Sequence, residues 1–189
     1  MTALARAGIA AQRTREPGGS EGAEAIRRLL LEGAEERWDA TAETLLFYAA
    51  RREHATRLIR PTLDRGTWVV CDRFADSTIA YQGYGRGLPL AELQALHRFV
   101  LGDFAPDLTL ILDLPVAEGL ARAAKRSGDG DRFERLDAAF HERLRQGFRQ
   151  IAAAEAQRCV VIDAAGDVES VHVAVLQAVA KRLGVTLGR

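Results

Sequence analysis

The chain has 189 residues, and its 26 basic and 26 acidic side chains leave no formal net charge. That length predicts one domain, spanning 1–189, while 48% apolar residues exclude a disordered or fibrous chain. The charge balance excludes a protein that binds nucleic acid through overall positive charge. Neither an 18-residue apolar run nor a signal-peptide pattern is present, so we expect a cytoplasmic protein without a membrane span.

Short strands and longer helices are predicted in alternation from the amino terminus onward. A strand at 9–14 leads into the turn-forming run Arg-Glu-Pro-Gly-Gly-Ser. Apolar residues at helical spacing predict helices at 23–31 and 40–64, and Pro61 predicts a kink near the end of the second. Further helices are predicted at 77–81, 90–101, 116–125, 133–157 and 168–183.

Apolar runs that each close on an aspartate are typical of buried strands, and they lie at 67–72, 108–114 and 159–163. Their alternation with helices predicts an α/β doubly wound fold, with a parallel sheet between helical layers. Ligands of such sheets bind beyond the carboxyl ends of the strands. The loops expected there are 15–20, 72–87, 113–116 and 163–167, with the charged segment 125–135 long enough to reach over them.

The first functional candidates follow the strand that ends at Asp72. This carboxylate can hold Mg²⁺ through water, and the adjacent Arg73 can grip a phosphate with its forked guanidinium. A local ion pair between the two is the alternative interpretation. Ser77 and Tyr81 are four residues apart on a helix expected to face the same loop, so a hydroxyl and a phenol share one helix face.

Several motifs stand in order along the chain. They are Thr-Arg-Glu-Pro-Gly-Gly at 14–19, Leu-Leu-Phe-Tyr-Ala-Ala-Arg at 45–51, Asp-Arg at 72–73, Ser-Thr at 77–78, Tyr-Gln-Gly at 81–83, Leu-Gly-Asp-Phe-Ala-Pro-Asp-Leu at 101–108 and Asp-Arg-Phe-Glu at 131–134. In type and order they resemble the bacterial thymidylate kinase family. The resemblance implies a P-loop nucleoside-monophosphate-kinase-like three-layer fold, a homodimer, and transfer of the γ-phosphoryl group of ATP to dTMP with Mg²⁺, giving dTDP for dTTP biosynthesis.

The resemblance also implies roles for individual residues. Phe47 would stack on the thymine ring, Arg51 would hydrogen-bond the base edge, and Arg73 would hold the dTMP phosphate. Tyr81 would disfavour a 2′-hydroxyl on the sugar. The other implied acceptor-binding residues are Arg15 and Glu16, in a loop that closes on the phosphate, and Ser77, Thr78 and Gln82, which would line the base and sugar.

Structural alternatives exist for the residues of this implied pocket. Phe47 and Tyr81 could be ordinary core aromatics, and Arg51 could pair with Glu43 or Glu53 on a solvated helix face. A kinase for a different deoxynucleotide is the neighbouring enzyme alternative. The pocket motifs favour the thymidylate pattern over it.

The charged segment 122–135 resembles the family's lid, whose arginines would stabilise the transferred phosphoryl group and exclude water. Its candidate arginines are Arg122, Arg126 and Arg132. The last two, with Asp72 and Arg73, are the predicted catalytic residues. A charged, solvated loop is the alternative interpretation of the segment.

The family's phosphate-binding loop, Gly-x-x-x-x-Gly-Lys-Ser/Thr, has no match in this sequence. Its lysines, Lys125 and Lys181, each follow an alanine rather than the required glycine. The resemblance therefore implies that a first central strand, between those ending at Asp72 and Asp113, is missing together with the loop that cradles ATP. A longer native protein is the favoured explanation. The alternatives are a truncated chain and a noncatalytic remnant that still binds thymidine nucleotides.

Overall fold

The computed structural model describes residues 1–34, 37–125, 133 and 136–188. Its strands are β1 (Ala11–Arg15), β2 (Trp68–Asp72), β3 (Thr109–Asp113) and β4 (Cys159–Asp163). Its helices are α1 (Thr2–Arg6), α2 (Glu21–Leu31), α3 (Ala40–His54), α4 (Arg60–Asp64), α5 (Ala75–Thr78), α6 (Leu90–Leu101), α7 (Val116–Ala124), α8 (Ala138–Ala154) and α9 (Val168–Leu183). π-helical segments, Ala55–Ile59 and Ile79–Gly85, directly follow α3 and α5.

The strands pair in parallel, as their continuous apolar sequences predict. β1 pairs with β2 from Ala11 opposite Trp68 to Arg15 opposite Asp72, and β3 pairs with β4 in the same direction. Within the described ranges the two pairs form separate sheets, whereas the sequence predicts one. Parallel pairing places the carboxyl ends of β1 and β2 side by side, so the loops that follow them meet at one edge.

The predicted strands and helices match the structure best where strong local signals mark their ends. β4, α6 and α9 have the predicted bounds. The carboxylate of Asp167 caps α9 by accepting from the N–H of Ser170 at 2.8 Å, and Gly184 ends the helix in the left-handed conformation. The helix predicted at 133–157 begins only at Ala138, because the Asp137 carboxylate caps it there.

The long helix predicted at 40–64 is continuous but not α-helical throughout. Asp39 caps its first turn, and the chain passes from α3 through the π-helical segment Ala55–Ile59 into α4. Pro61 lies in the first turn of α4. In an α-helix the proline ring would clash with the carbonyl of Arg57, four residues earlier, and the wider π turn accommodates it.

Two buried apolar clusters form the core. One contains Ile111 of β3 and Cys159 of β4 together with side chains of α8, and the other contains Phe74 with side chains of α6 and the first π-helical segment. Each cluster packs against one of the two sheets. No helix among the described residues is both long and apolar enough to cross a membrane.

A partly buried ion pair joins α5 to the sheet formed by β3 and β4. Asp76 of α5 is 8% exposed, and its carboxylate accepts from two guanidinium nitrogens of Arg158 at 2.7 and 2.8 Å. The hydroxyl of Thr109 donates to the same carboxylate at 3.1 Å. Because Thr109 begins β3 and Arg158 directly precedes β4, this carboxylate holds the start of both strands against α5.

Candidate active site

A cavity of about 310 Å³ lies at the carboxyl ends of β1 and β2. Its walls come from the loops after these strands and from α2, α3, α5 and the second π-helical segment. The residues predicted to bind the acceptor all line it, and so does Asp72, predicted to hold Mg²⁺ through water: Arg15, Glu16, Phe47, Arg51, Asp72, Arg73, Ser77, Thr78, Tyr81 and Gln82. The parallel pairing of β1 with β2 and the packing of α3 thus bring distant parts of the chain to one site.

A buried ion pair forms part of the cavity wall. Glu16 is 5% exposed, and its carboxylate accepts from Nε of Arg51 at 2.7 Å and lies 3.1 Å from Nδ1 of His54. The same guanidinium donates to Oγ1 of Thr78 at 3.0 Å and to the carbonyl of Phe74 at 3.3 Å. These bonds fix the plane of the Arg51 guanidinium from several directions.

Arg51 does not form an ion pair with Glu43 or Glu53, the glutamates near it in the sequence. Glu43 is fully buried and accepts from Nε2 of Gln82 at 2.8 Å, while Glu53 pairs with Arg57 at 3.4 Å. The alternative that places Arg51 on a solvated helix face is therefore wrong. Its position on α3 points it inward, where it is 2% exposed.

Arg73 has an unusual backbone conformation. It is the non-glycine residue with positive φ among those described, at 70°. This left-handed conformation costs about 1–2 kcal/mol for a residue with a Cβ atom. The guanidinium carbon of Arg73 lies 5.1 Å from the ring centre of Tyr81. Such strain persists where the surroundings hold it, and here the N–H of Glu16 donates to the Asp72 carbonyl at 2.9 Å.

Three aromatic rings meet in the cavity. The ring centre of Phe133 lies 5.9 Å from that of Phe47 and 5.5 Å from that of Tyr81, the latter pair being edge to face. Tyr81 also packs edge to face against Phe140 of the core, at 6.2 Å. The core-aromatic alternative therefore holds in part for Tyr81. Both Phe47 and Tyr81 are nevertheless half-buried and line the cavity, so their ring surfaces face a space that a ligand could fill.

Arg15 reaches the same cavity from the last position of β1. Its guanidinium lies 3.1 Å from both carboxylate oxygens of Glu24 on α2. The backbone N–H of Gly19 donates to that carboxylate at 3.0 Å. This backbone hydrogen bond, together with Arg15, holds the pKa of the Glu24 carboxyl below its ordinary value. Arg15 is about half exposed, so an anion that enters the cavity competes with Glu24 for it.

The cavity also contains residues for which the sequence predicted no role. Arg27 of α2 donates to the carbonyl of Pro17 at 2.6 Å, and Leu31 follows it one turn later. The spacing of four residues that puts these two side chains on one face of α2 is the signal that could have found them. The other residues that line the cavity without a predicted role are Pro17, Phe74 and Phe133.

The predicted lid arginines are only partly within the described structure. Arg122 of α7 donates to the carbonyls of Ala164 and Ala165, at 2.9 and 3.0 Å, in the loop after β4. Arg126 and Arg132 lie outside the described residues. The assignment of 122–135 as a lid stays a prediction.

The loops after β3 and β4 lie apart from this cavity in the described structure. Residues 111–114 line a second cavity, of about 250 Å³, with side chains of α7 and α8. Asp113 is held by two hydrogen bonds from Arg145, at 2.8 and 3.0 Å, and Asp163 accepts from the N–H of Ala165 at 2.9 Å. Asp72 therefore differs from the other two strand-ending aspartates, because its carboxylate lines the first cavity.

The donor set around Asp72 suits Mg²⁺ only in partnership with a substrate. In the part of the chain that the structure describes, no group of three or more His, Cys, Asp or Glu side chains could hold a metal ion. Mg²⁺ usually keeps several waters and binds through one or two carboxylates together with substrate phosphates. An exposed carboxylate beside a cationic cavity fits that arrangement.

Aromatic surface and cationic groups thus share one cavity at the carboxyl edge of parallel strands. Ligands of open α/β sheets bind at this edge, and nucleotides combine a flat ring with an anionic phosphate. Fold and site together define the class of α/β nucleotide-binding proteins.

Comparison with known proteins narrows this class. The family model described as thymidylate kinase matches residues 1–175. The thymidylate kinase of Caulobacter vibrioides is 57% identical over 171 residues, covering 90% of this chain and 82% of that protein. That of Rhizorhabdus wittichii is 50% identical over 182 residues, covering 96% and 88%. The crystal structure of thymidylate kinase from Ehrlichia chaffeensis has a TM-score of 0.69 at 37% identity, over 88% of this chain and 78% of that one.

The chain belongs to the thymidylate kinase family. It is therefore an enzyme of the nucleoside monophosphate kinase class, and its α/β fold with parallel strands matches that of the solved relative. The resemblance seen in the motifs is confirmed at the level of the family. The alternative of a noncatalytic remnant has no support from these comparisons.

Proposed function

We propose that this protein binds dTMP in the cavity at the ends of β1 and β2 and phosphorylates it with ATP, giving dTDP. One observation carries the proposal: the rings of Phe47 and Tyr81 share a cavity with the cationic side chains of Arg15 and Arg73. A flat base suits the first pair and a phosphate suits the second. The names of the relatives supply the particular base and the reaction.

In this proposal the base stacks on Phe47 and accepts a hydrogen bond from Arg51. A guanidinium has five N–H donors, more than the three bonds to Glu16, Thr78 and Phe74 use. Because those bonds already orient the group, little side-chain entropy is lost when it meets the base. The sugar lies against Tyr81, with Ser77, Thr78 and Gln82 completing the wall.

The dTMP phosphate is proposed to bind Arg73, with Arg15 leaving Glu24 to join it. Mg²⁺, when bound, would neutralise phosphate charge, and Asp72 would hold it through water. Phosphoryl transfer is favoured by positive charge around the equatorial oxygens and by exclusion of water. Arg126 and Arg132, the predicted lid arginines, are proposed to supply that charge.

The donor site is proposed to require a further strand and a glycine-rich phosphate loop, and the pattern of that loop has no match in this sequence. Large apolar side chains are exposed on the two strands that would flank the additional strand: Val70 of β2 at 42% and Leu112 of β3 at 55%. A parallel strand between them would pair with the edges of both and join the two sheets, and a helix packed on the joined sheet would cover these side chains. The backbone N–H groups of its loop would hold the β- and γ-phosphates of ATP.

ATP-dependent conversion of dTMP to dTDP tests the proposal. The 189-residue chain is compared with a version extended at its amino terminus by a strand and a phosphate loop of the family pattern. We expect both to bind dTMP and only the extended version to convert it. Conversion by the 189-residue chain would overturn the donor-site proposal, and failure of both to bind dTMP would overturn the acceptor-site proposal.

Phe47→Ala is expected to weaken dTMP binding by about 5- to 150-fold, because stacking on an aromatic side chain contributes about 1–3 kcal/mol per base. Titration calorimetry measures the change, and Phe47→Leu separates the loss of a ring from the loss of volume. Deoxyribose 5-phosphate, which has no base, should bind the wild-type and variant proteins equally. Unchanged dTMP affinity in Phe47→Ala would exclude stacking on this residue.

A homodimer is proposed to form through α3 and α6. Phe99 of α6 is 88% exposed and Leu45 of α3 is 53% exposed. The two helices are neighbours, since Arg52, two turns after Leu45, donates at 2.9 Å to the carbonyl of Val100, the residue after Phe99. Burial of such side chains is the usual driving force for association.

Phe99→Glu is expected to shift the protein from dimer to monomer, because a carboxylate cannot be buried without a partner. Sedimentation velocity at several protein concentrations measures the shift. Arg98→Glu changes the neighbouring exposed residue and should leave the dimer largely intact. A Phe99→Glu protein that remains dimeric would place the interface elsewhere.

A further inference from the structure

A chain of buried hydrogen bonds connects the last turn of α3 with the loop after β1. Nε2 of His54 lies 2.8 Å from Oγ1 of Thr14, and Nδ1 lies 3.1 Å from one carboxylate oxygen of Glu16. The other carboxylate oxygen accepts from Nε of Arg51 at 2.7 Å. All four residues are less than one-tenth exposed, and His54 is fully buried. We call this set, Thr14, His54, Glu16 and Arg51, the histidine relay.

The partners of the imidazole decide which ring nitrogen carries the proton. A carboxylate only accepts, so Nδ1 of His54 must donate its N–H to Glu16. Nε2 then accepts from the hydroxyl of Thr14. The charges of Glu16 and Arg51 already balance each other, so a neutral ring leaves no unpaired charge in this buried place.

The histidine relay holds the loop after β1 on both sides of Arg15. Thr14 precedes Arg15 and Glu16 follows it, and both contact the same imidazole. Gly19, with φ of 86°, passes so close that an added Cβ would collide with the His54 ring and the Thr14 hydroxyl. The loop is therefore seated directly on the edge of the imidazole.

We propose that His54 is a positioning residue for acceptor binding, fixing Arg51 through Glu16 and directing Arg15 through Thr14 and Glu16. The inference rests on the proposed function, because both arginines are assigned there to the nucleotide. His54 is not among the described residues that line the cavity, so its effect is transmitted through the histidine relay. Each step of that transmission is a hydrogen bond between buried side chains.

Two amide variants separate this role from packing alone. In His54→Asn the amide nitrogen lies close to the position of Nδ1 and can still donate to Glu16. In His54→Gln it lies closer to the position of Nε2, so the carboxylate oxygen of Glu16 that faces Nδ1 loses its donor, while the other still accepts from Arg51. We expect dTMP and thymidine affinity within about threefold of wild type in the asparagine variant and weakened by about tenfold or more in the glutamine variant.

Nuclear magnetic resonance tests the same inference without a ligand. In the ¹⁵N-labelled wild-type chain, His54 should show the neutral ring with its proton on Nδ1. Both variants remove the aromatic ring, so the backbone amide signals of Arg15 and Gly19 should move in each, but clearly further from their wild-type positions in His54→Gln, which also removes the donor to Glu16. Urea unfolding of both variants shows whether affinity merely follows stability, as it would for a residue that only fills space.

Each outcome decides one of the two proposals. Equal behaviour of the two variants in affinity and in the amide signals, or a wild-type proton on Nε2, would overturn the positioning role. If wild-type protein binds neither dTMP nor thymidine, the proposed function fails instead. The tautomer and the loop signals then still decide whether the histidine relay holds the loop.

Discussion

Arg73→Ala is expected to weaken dTMP binding by about 10- to 150-fold, while thymidine binds almost as before. In the version extended at its amino terminus, the same change is expected to abolish phosphorylation of dTMP. A hydrogen bond to a charged group contributes about 1.5–3 kcal/mol, and alanine removes both the bond and the charge. Thymidine has no phosphate, and the residues assigned to its base are unchanged. Titration calorimetry with both ligands therefore isolates the phosphate contact.

Two control variants sharpen this test. Arg73→Lys keeps the positive charge but loses the fork that matches two phosphate oxygens, so an intermediate affinity for dTMP is expected. Arg98→Ala removes an exposed arginine from α6 and should leave both affinities unchanged. An equal loss of thymidine and dTMP binding in Arg73→Ala would show that the residue shapes the whole pocket rather than holding the phosphate.

Arg51→Met is expected to lower the free energy of unfolding by about 3–5 kcal/mol. Removing one member of a buried ion pair leaves the other charge without compensation, and Glu16 is only 5% exposed. Methionine approximates the length of the arginine stem, so the lost volume is small. Urea unfolding measures the change at constant pH.

The matched control for Arg51→Met is the same change at the next residue, Arg52. Arg52→Met removes an exposed arginine from the same helix and should cost less than about 1 kcal/mol. The double variant Glu16→Gln with Arg51→Met should recover part of the loss, because it leaves no buried charge unpaired. A loss below about 1 kcal/mol in Arg51→Met alone would show that Glu16 is stabilised by other groups.

Regular elements with clear local signals could be predicted from the sequence. β4 is a continuous apolar run closing on Asp163, and α9 begins at the capping residue Asp167 and ends at Gly184. By contrast, the π-helical turns of Ala55–Ile59 and Ile79–Gly85 have no comparable signal in the spacing of apolar residues. Tertiary packing selects such turns, so the sequence predicted ordinary α-helix across the first segment and a helix only as far as 81 at the second.

The candidate site was predictable where a motif keeps its residues together. The Asp72-Arg73 pair and the helix after it were found this way, and they line one cavity as expected. Partners far apart in the sequence were not predictable. Glu16 and Arg51 are 35 positions apart, and only the folded chain decides that they meet. Local spacing pointed to nearer glutamates instead, because it cannot report which face of a helix is buried.

The left-handed backbone of Arg73 has a consequence for how this position can change in evolution. Glycine adopts positive φ without the penalty of a Cβ atom, so selection for stability alone would favour glycine there. Selection for a phosphate contact favours arginine. These two selective pressures oppose each other at a single residue. The strained arginine is retained only while the advantage of the proposed contact with the dTMP phosphate exceeds the disadvantage of the lost stability.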